Sequence, residues 1–118
     1  MSKDIIDVDD ALDRVQDDKE LFLELLDIFQ EDYVEKRRHL GQFVAANDLE
    51  QAANTAHSLK GAAGNISAGG VNKICAQIEQ LAEDKTSTDY PGLLKKLDEQ
   101  YRLLDERIKI IKKDLSRG

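Results

Sequence analysis

The chain has 118 residues, a formal net charge of −7 at pH 7 and one cysteine. This length supports one domain with one core, and a single cysteine excludes an internal disulfide. The acidic balance argues against a nucleic-acid partner, whose phosphates need clustered Lys and Arg. No apolar run approaches the ~20 residues of a membrane span and the N-terminus has no signal-peptide pattern, so we expect a cytoplasmic protein that binds no membrane.

The N-terminal segment predicts a short first helix after a loose start. We expect residues 1–6 to be lightly packed. A cap at Asp7 or Asp9 then begins a helix that runs through Leu12 and Val15. Acidic residues at the start of this helix suit its dipole.

Asp18 is predicted to cap a long second helix. One side of this helix is predicted to carry Leu21, Phe22, Leu25, Leu26, Ile28 and Phe29. A charged interruption at residues 35–39 precedes renewed apolar spacing from Leu40. The pattern fits either one bent helix or two joined pieces, and residues 46–48 form a turn.

The C-terminal part predicts three further helices. The first runs from about Leu49 to Asn65, residues 67–70 break it, and the second ends near Asp84. A polar loop over residues 85–90 leads to the last helix, with Pro91 in its first turn. We therefore predict an all-α fold, an antiparallel four-helix bundle with the short N-terminal helix capping one end. It forms a single domain over residues 1–118, with the core bundle at about 18–115.

One histidine lies beside the buried stripe of the helix over 49–65. The stripe consists of Ala52, Ala56, Leu59, Ala63 and Ile66, which recur at three- and four-residue steps. His57 lies about 100° from its centre, and Gly61 and Gly64 follow on the same flank. Because helical side chains lean toward the N-terminus, a side chain at Gly61 would cover the imidazole. The two glycines destabilise the helix by about 0.5–1 kcal/mol each relative to alanine, which indicates that the space over the imidazole is kept open.

His57 and Glu79 are about equally far from the turn near residues 67–69. In an antiparallel hairpin they would face each other, and a carboxylate that accepts a hydrogen bond from Nδ1 leaves Nε2 with a free lone pair. Lys60 lies one turn after His57, so its ammonium can lie close to the ring.

These residues resemble the histidine-containing phosphotransfer (HPt) domains of two-component phosphorelays. The resemblance rests on the run HSLKGAAGNI at residues 57–66 and on Ile78-Glu79 in the next helix. It implies that His57 accepts a phosphoryl group from an aspartate of a receiver domain, or of a hybrid histidine kinase, and passes it to another receiver. It also implies that Lys60 and Gly61 belong to the site, where the Lys60 ammonium could offset the charge of a phosphoryl group on the ring. The resemblance further implies that Glu or Gln occupies the position of Glu79.

The resemblance further implies a phosphocarrier that is not an enzyme by itself. The receiver would supply the Mg²⁺, so this chain needs no cofactor of its own. Metal binding is also disfavoured because the sequence has no His-x-x-x-His or Cys-x-x-Cys pair. The family commonly has glycine where Ser67 stands, so either the turn is shifted or Ser67 caps the following helix.

A partner surface is expected around the histidine. From the helical geometry we predict that Leu12, Val15 and Leu21 contact a receiver, together with Ser58 and Ala62. The polar outer faces favour a monomer. Two other functions stay open at this point: a helical adaptor that binds receivers without being phosphorylated, and a bundle that binds a small molecule or metal.

Overall fold

The computed structural model describes residues 2–85 and 89–116, which form six α-helices and no β-strand. In chain order they are α1 (Ser2–Ile5), α2 (Val8–Arg14), α3 (Lys19–Ala45), α4 (Leu49–Asn65), α5 (Gly69–Asp84) and α6 (Tyr90–Ser116). The predicted all-α fold is confirmed, with one more N-terminal helix than the sequence indicated. None of these helices is long and apolar enough to cross a membrane.

The four long helices surround one core. Both α3 and α5 pack against α4 and against α6, so α4 and α6 are diagonal to each other. Hydrogen bonds join Gln30 to Asp105 and Arg37 to Asp98, so residues later in α3 meet residues earlier in α6. These two helices therefore run in opposite directions. Three-residue connections join α3 to α4 and α4 to α5.

Aspartates begin four of the helices. The carboxylates of Asp7, Asp18, Asp48 and Asp89 each accept a hydrogen bond from the backbone N–H three residues later, at 3.1, 3.1, 3.3 and 2.9 Å. Each satisfies an amide that has no partner within the helix. Asp7 rather than Asp9 is the cap of α2.

The α3 helix is continuous through its charged stretch, which decides between the two possibilities that its sequence allows. Lys36 donates a hydrogen bond to Ser58 of α4, and Arg37 pairs with Asp98 of α6. Two side chains of the charged interruption therefore reach the two neighbouring helices. Leu40, which follows it, is fully buried.

The core contains nearly all of the predicted apolar stripes. Ala52, Ala56, Leu59 and Ala63 of α4 are 0% exposed. The prediction for Ile28 is wrong, because its side chain points away from the core and is 58% exposed. Other fully buried members are Phe22, Leu26, Leu40, Cys75, Ile78, Leu97, Leu104 and Ile108. Burial raises the pKa of the Cys75 thiol to about 12.

The turn between α4 and α5 differs from the predicted break at residues 67–70. Ser67 adopts a left-handed conformation with φ of 57°, a backbone region that favours glycine. Ala68 is the N-cap of α5, so Ser67 does not cap that helix. Gly69 and Gly70 are the first two residues of α5 rather than part of the turn. A Cβ on either would approach the Asp4 carbonyl oxygen to 3.3–3.4 Å, because α1 packs against this end of α5.

The N-terminal segment is packed more tightly than predicted. Met1 lies outside the described residues, but Ile6 is 2% exposed and α1 packs against α5 and α6. The Asp7 amide donates to the Ser67 carbonyl at 2.9 Å, and the Ser67 hydroxyl donates to Asp10 at 2.6 Å. The segment therefore holds the α4–α5 turn. In the predicted loop over 85–90, residues 86–88 lie outside the described residues.

Candidate functional site

His57 projects from the middle of α4 into solvent. Its side chain is 68% exposed, whereas Ala56 and Leu59, its neighbours on the buried stripe, are 0% exposed. Successive helical residues point about 100° apart, so one wall of the bundle can bury the stripe and expose the imidazole. The ring is therefore accessible to another molecule.

Glu79 of α5 holds the imidazole. Its Oε2 atom lies 2.8 Å from His57 Nδ1, so the sequence prediction that these two residues meet agrees with the structure. Only 12% of the Glu79 side chain is exposed, because it lies in the groove between α4 and α5. A carboxylate at Nδ1 favours the tautomer that carries its proton there, which leaves the Nε2 lone pair available.

Lys60 completes a three-residue cluster. Its ammonium lies 2.6 Å from Glu79 Oε1, so the two carboxylate oxygens are shared between lysine and histidine. The sequence placed Lys60 near a phosphoryl group on the ring but did not reveal this ion pair. Burial alone would raise the pKa of Glu79, but the hydrogen bonds from Lys60 and His57 outweigh it and hold the pKa below its ordinary value.

The lowered pKa of Glu79 predicts a pH-dependent contribution to stability. Above the ordinary pKa of 4.5 the Glu79 carboxylate is ionised in both the folded and the unfolded protein, and its contribution to the free energy of unfolding is fully present. Below that pH the unfolded chain binds the proton first, so the contribution declines. We expect Glu79→Gln to lower the free energy of unfolding by about 1–2 kcal/mol at neutral pH. That difference should shrink as the pH falls below 4.5.

Urea denaturation of both proteins across this pH range measures the difference. Glu83→Gln, an exposed glutamate of the same helix, is the control and should change stability little at any pH. A Glu79→Gln effect of constant size from neutral pH into acid would contradict the prediction.

The two glycines after His57 have different surroundings. A Cβ built on Gly61 would meet no described side chain or neighbouring element within 4 Å, so the space above the imidazole is open. A Cβ on Gly64 would lie 3.6 Å from the Asn72 amide nitrogen, an ordinary packing contact. The clearance predicted from sequence is therefore present at Gly61, whereas Gly64 faces the groove toward α5.

Two contacts of the site were not predicted from the sequence. Asn72 of α5 donates from Nδ2 to the carbonyl oxygen of Lys60 at 2.9 Å. Lys36 of α3 donates to the Ser58 hydroxyl at 2.5 Å and also pairs with Asp32. Asn72 lies seven residues before Glu79, two helical turns away on the same face, and that spacing was the available signal.

The predicted partner surface is distributed over three helices. Ser58 and Ala62 are half-buried between α3 and α4. Leu12 of α2 and Val15, the C-cap of that helix, are half-buried against the core. Leu21 is 39% exposed. Exposed Ile28 lies seven residues after Leu21 on the same face of α3, so the structure adds it to this candidate surface.

Whereas the imidazole projects from the middle of α4, the short helix α2 lies beyond the C-terminal end of that helix. Its N-terminal residues Asp7 and Asp10 bind Ser67, just beyond the end of α4. Eight residues separate His57 from Asn65, or about 12 Å along the helix axis. Leu12 and Val15 are therefore not brought into the cluster of His57, Lys60 and Glu79.

The arrangement defines a helical bundle that displays one exposed, carboxylate-oriented histidine. Comparison with known families agrees, since the model of the Hpt domain matches residues 24–107, more than half of the chain. The chain belongs to the Hpt domain family, whose members are phosphocarriers in the phosphorelays of two-component systems. No curated protein and no solved structure gave a significant match.

Proposed function

We propose that His57 is the phosphoacceptor of this Hpt domain, taking a phosphoryl group from an aspartate of a receiver domain and returning it to another. The observation that carries the proposal is the imidazole itself, 68% exposed with Nδ1 bound to Glu79 at 2.8 Å. Such a ring has one nitrogen oriented by the protein and the other available to a partner.

The chemistry follows from that orientation. The Nε2 lone pair attacks phosphorus, the Nε2–P bond forms, and the P–O bond to the receiver aspartate breaks with its electron pair leaving on the carboxylate. Nδ1 keeps its proton throughout, so no proton has to leave the ring. The positive charge that develops on the imidazole is offset by Glu79, whose lowered pKa keeps it ionised at neutral pH.

Lys60 supports the phosphorylated state. Its ammonium is held by Glu79 in the unmodified protein and its side chain is 33% exposed, one turn from His57. A phosphoryl group on Nε2 adds a second anionic partner within reach of this flexible side chain. Lys60 then stabilises the phosphoryl oxygens while Glu79 continues to hold Nδ1.

The receiver docks on the surface around Gly61. Open space above Gly61 admits the receiver's acceptor aspartate, and the exposed apolar side chains Leu21 and Ile28 of α3 supply contact area. Leu12, Val15, Ser58 and Ala62 extend this surface. The Mg²⁺ that phosphoryl transfer needs is bound by the receiver, so this chain supplies the nucleophile and the docking face.

Incubation with a radiolabelled phospho-receiver tests the proposal, since His57 and His39 are the two histidines of the chain. Wild type and His39→Gln should become labelled, with an acid-labile phosphoryl group, and His57→Gln should not. Label retained by His57→Gln would overturn the assignment. Equal receiver binding by all three proteins without label in any of them would instead identify an adaptor.

A further inference from the structure

We infer that Asn72 is a positioning residue that holds the His57 segment of α4 at a fixed distance from α5. The inference rests on the proposed function for its consequence in phosphoryl transfer. Its structural basis is the hydrogen bond from Asn72 Nδ2 to the Lys60 carbonyl oxygen, 2.9 Å long and half-buried between the helices.

The hydrogen bond falls where α4 is intrinsically weakest. Gly61 and Gly64 follow the Lys60 carbonyl, and each lowers helix stability by about 1 kcal/mol relative to alanine. The Lys60 carbonyl already accepts the Gly64 amide in the helical pattern, and its second lone pair accepts Asn72. The side-chain amide of Asn72 thus adds a hydrogen bond from outside the helix to the turn that Gly61 and Gly64 weaken.

Asn72 and Glu79 together contact α4 at two positions along the groove between α4 and α5. They lie two turns apart on the same face of α5, and the first contacts the backbone of Lys60 while the second contacts its ammonium. Glu79 also contacts the His57 ring at 2.8 Å, so a continuous chain of bonds runs from Asn72 through Lys60 and Glu79 to the nucleophile. A shift of the α4 backbone would therefore alter the geometry of the lysine and the imidazole together.

Gly64 lies beside this contact. A Cβ at that position would lie 3.6 Å from Asn72 Nδ2, an ordinary packing distance, so the contact would tolerate alanine there. The two glycines therefore differ in their surroundings, because Gly61 faces open space and Gly64 faces Asn72.

Amide hydrogen exchange tests the inference without reference to phosphorylation. In Asn72→Leu, exchange at Gly61, Ala62, Ala63 and Gly64 should accelerate by about two- to tenfold, the range of one net hydrogen bond, while amides in the middle of α6 change much less. Gln80→Leu is the control, because Gln80 bonds to Asp84 within α5. Unchanged exchange at these four amides, or equal acceleration throughout the bundle, would overturn the inference.

Phosphoryl transfer supplies the functional readout. We expect Asn72→Leu to lower the transfer rate from a phospho-receiver by about three- to tenfold with receiver affinity unchanged, and Asn72→Gln, which keeps the donor, to recover part of the rate. An unchanged rate, or a loss explained by weaker receiver binding, would contradict the positioning role. Should Asn72→Leu not fold, Asn72→Ala is measured instead. If wild type accepts no phosphoryl group, the proposed function fails while the exchange result still decides the role of Asn72.

Discussion

Replacing Gly61 with leucine is expected to slow phosphoryl transfer to His57 by at least about a hundredfold, because a displacement of even 1 Å between reacting atoms has an effect of that size. The variant should remain folded, since a Cβ at position 61 meets no described neighbour within 4 Å. A leucine there would stand in the space through which the receiver's aspartate reaches Nε2. Single-turnover transfer from a phospho-receiver measures the effect, with circular dichroism to verify the fold.

A leucine placed on the diagonal helix controls for added apolar surface. Lys95→Leu, at an exposed position of α6, should transfer at the wild-type rate. Gly61→Ala separates stability from transfer, because it should raise the free energy of unfolding by about 0.5–1 kcal/mol while slowing transfer less than leucine does. Wild-type transfer by Gly61→Leu would show that partners do not approach across this face.

Truncating Leu59 to alanine should lower the free energy of unfolding by about 2–5 kcal/mol, a large share of the stability of a small domain. Leu59 is 0% exposed and lies on the buried stripe directly behind the histidine, two residues along α4. The loss combines the transfer free energy of the removed atoms with the cavity that remains. Equilibrium unfolding in urea measures it.

Leu21→Ala is the matched control, because the same atoms are removed from a side chain that is 39% exposed. Its effect should be well below that of Leu59→Ala, since a partly solvated leucine leaves little cavity. Similar losses of unfolding free energy in the two variants would mean that the core residues around Leu59 repack to fill the cavity.

The helices and their capping residues could be predicted because their signals are local. The observed α4 helix has the predicted bounds Leu49–Asn65, set by the Asp48 cap and the buried stripe, and Asp18 begins α3 as its sequence indicated. The meeting of His57 and Glu79 was also accessible, since an antiparallel hairpin pairs residues equally far from its turn.

Features that depend on distant parts of the chain were not predictable in the same way. Gly69 and Gly70 have the composition of a turn, yet they are the first two residues of α5, and α1, more than sixty residues earlier in the chain, approaches them closely. Ile28 has the composition of a core residue, but its direction on α3 is set by which neighbours surround that helix. The Asn72 contact likewise depends on how α5 is rotated against α4.

The complete burial of Cys75 has a consequence for the redox behaviour of the protein. It is the chain's one cysteine, fully buried, with a thiol pKa raised to about 12, so almost none of it is thiolate at neutral pH. Peroxide and alkylating reagents attack the thiolate, and they can reach the Cys75 sulfur only when the bundle opens. In the folded protein, Cys75 should therefore be oxidised or alkylated no faster than the bundle opens.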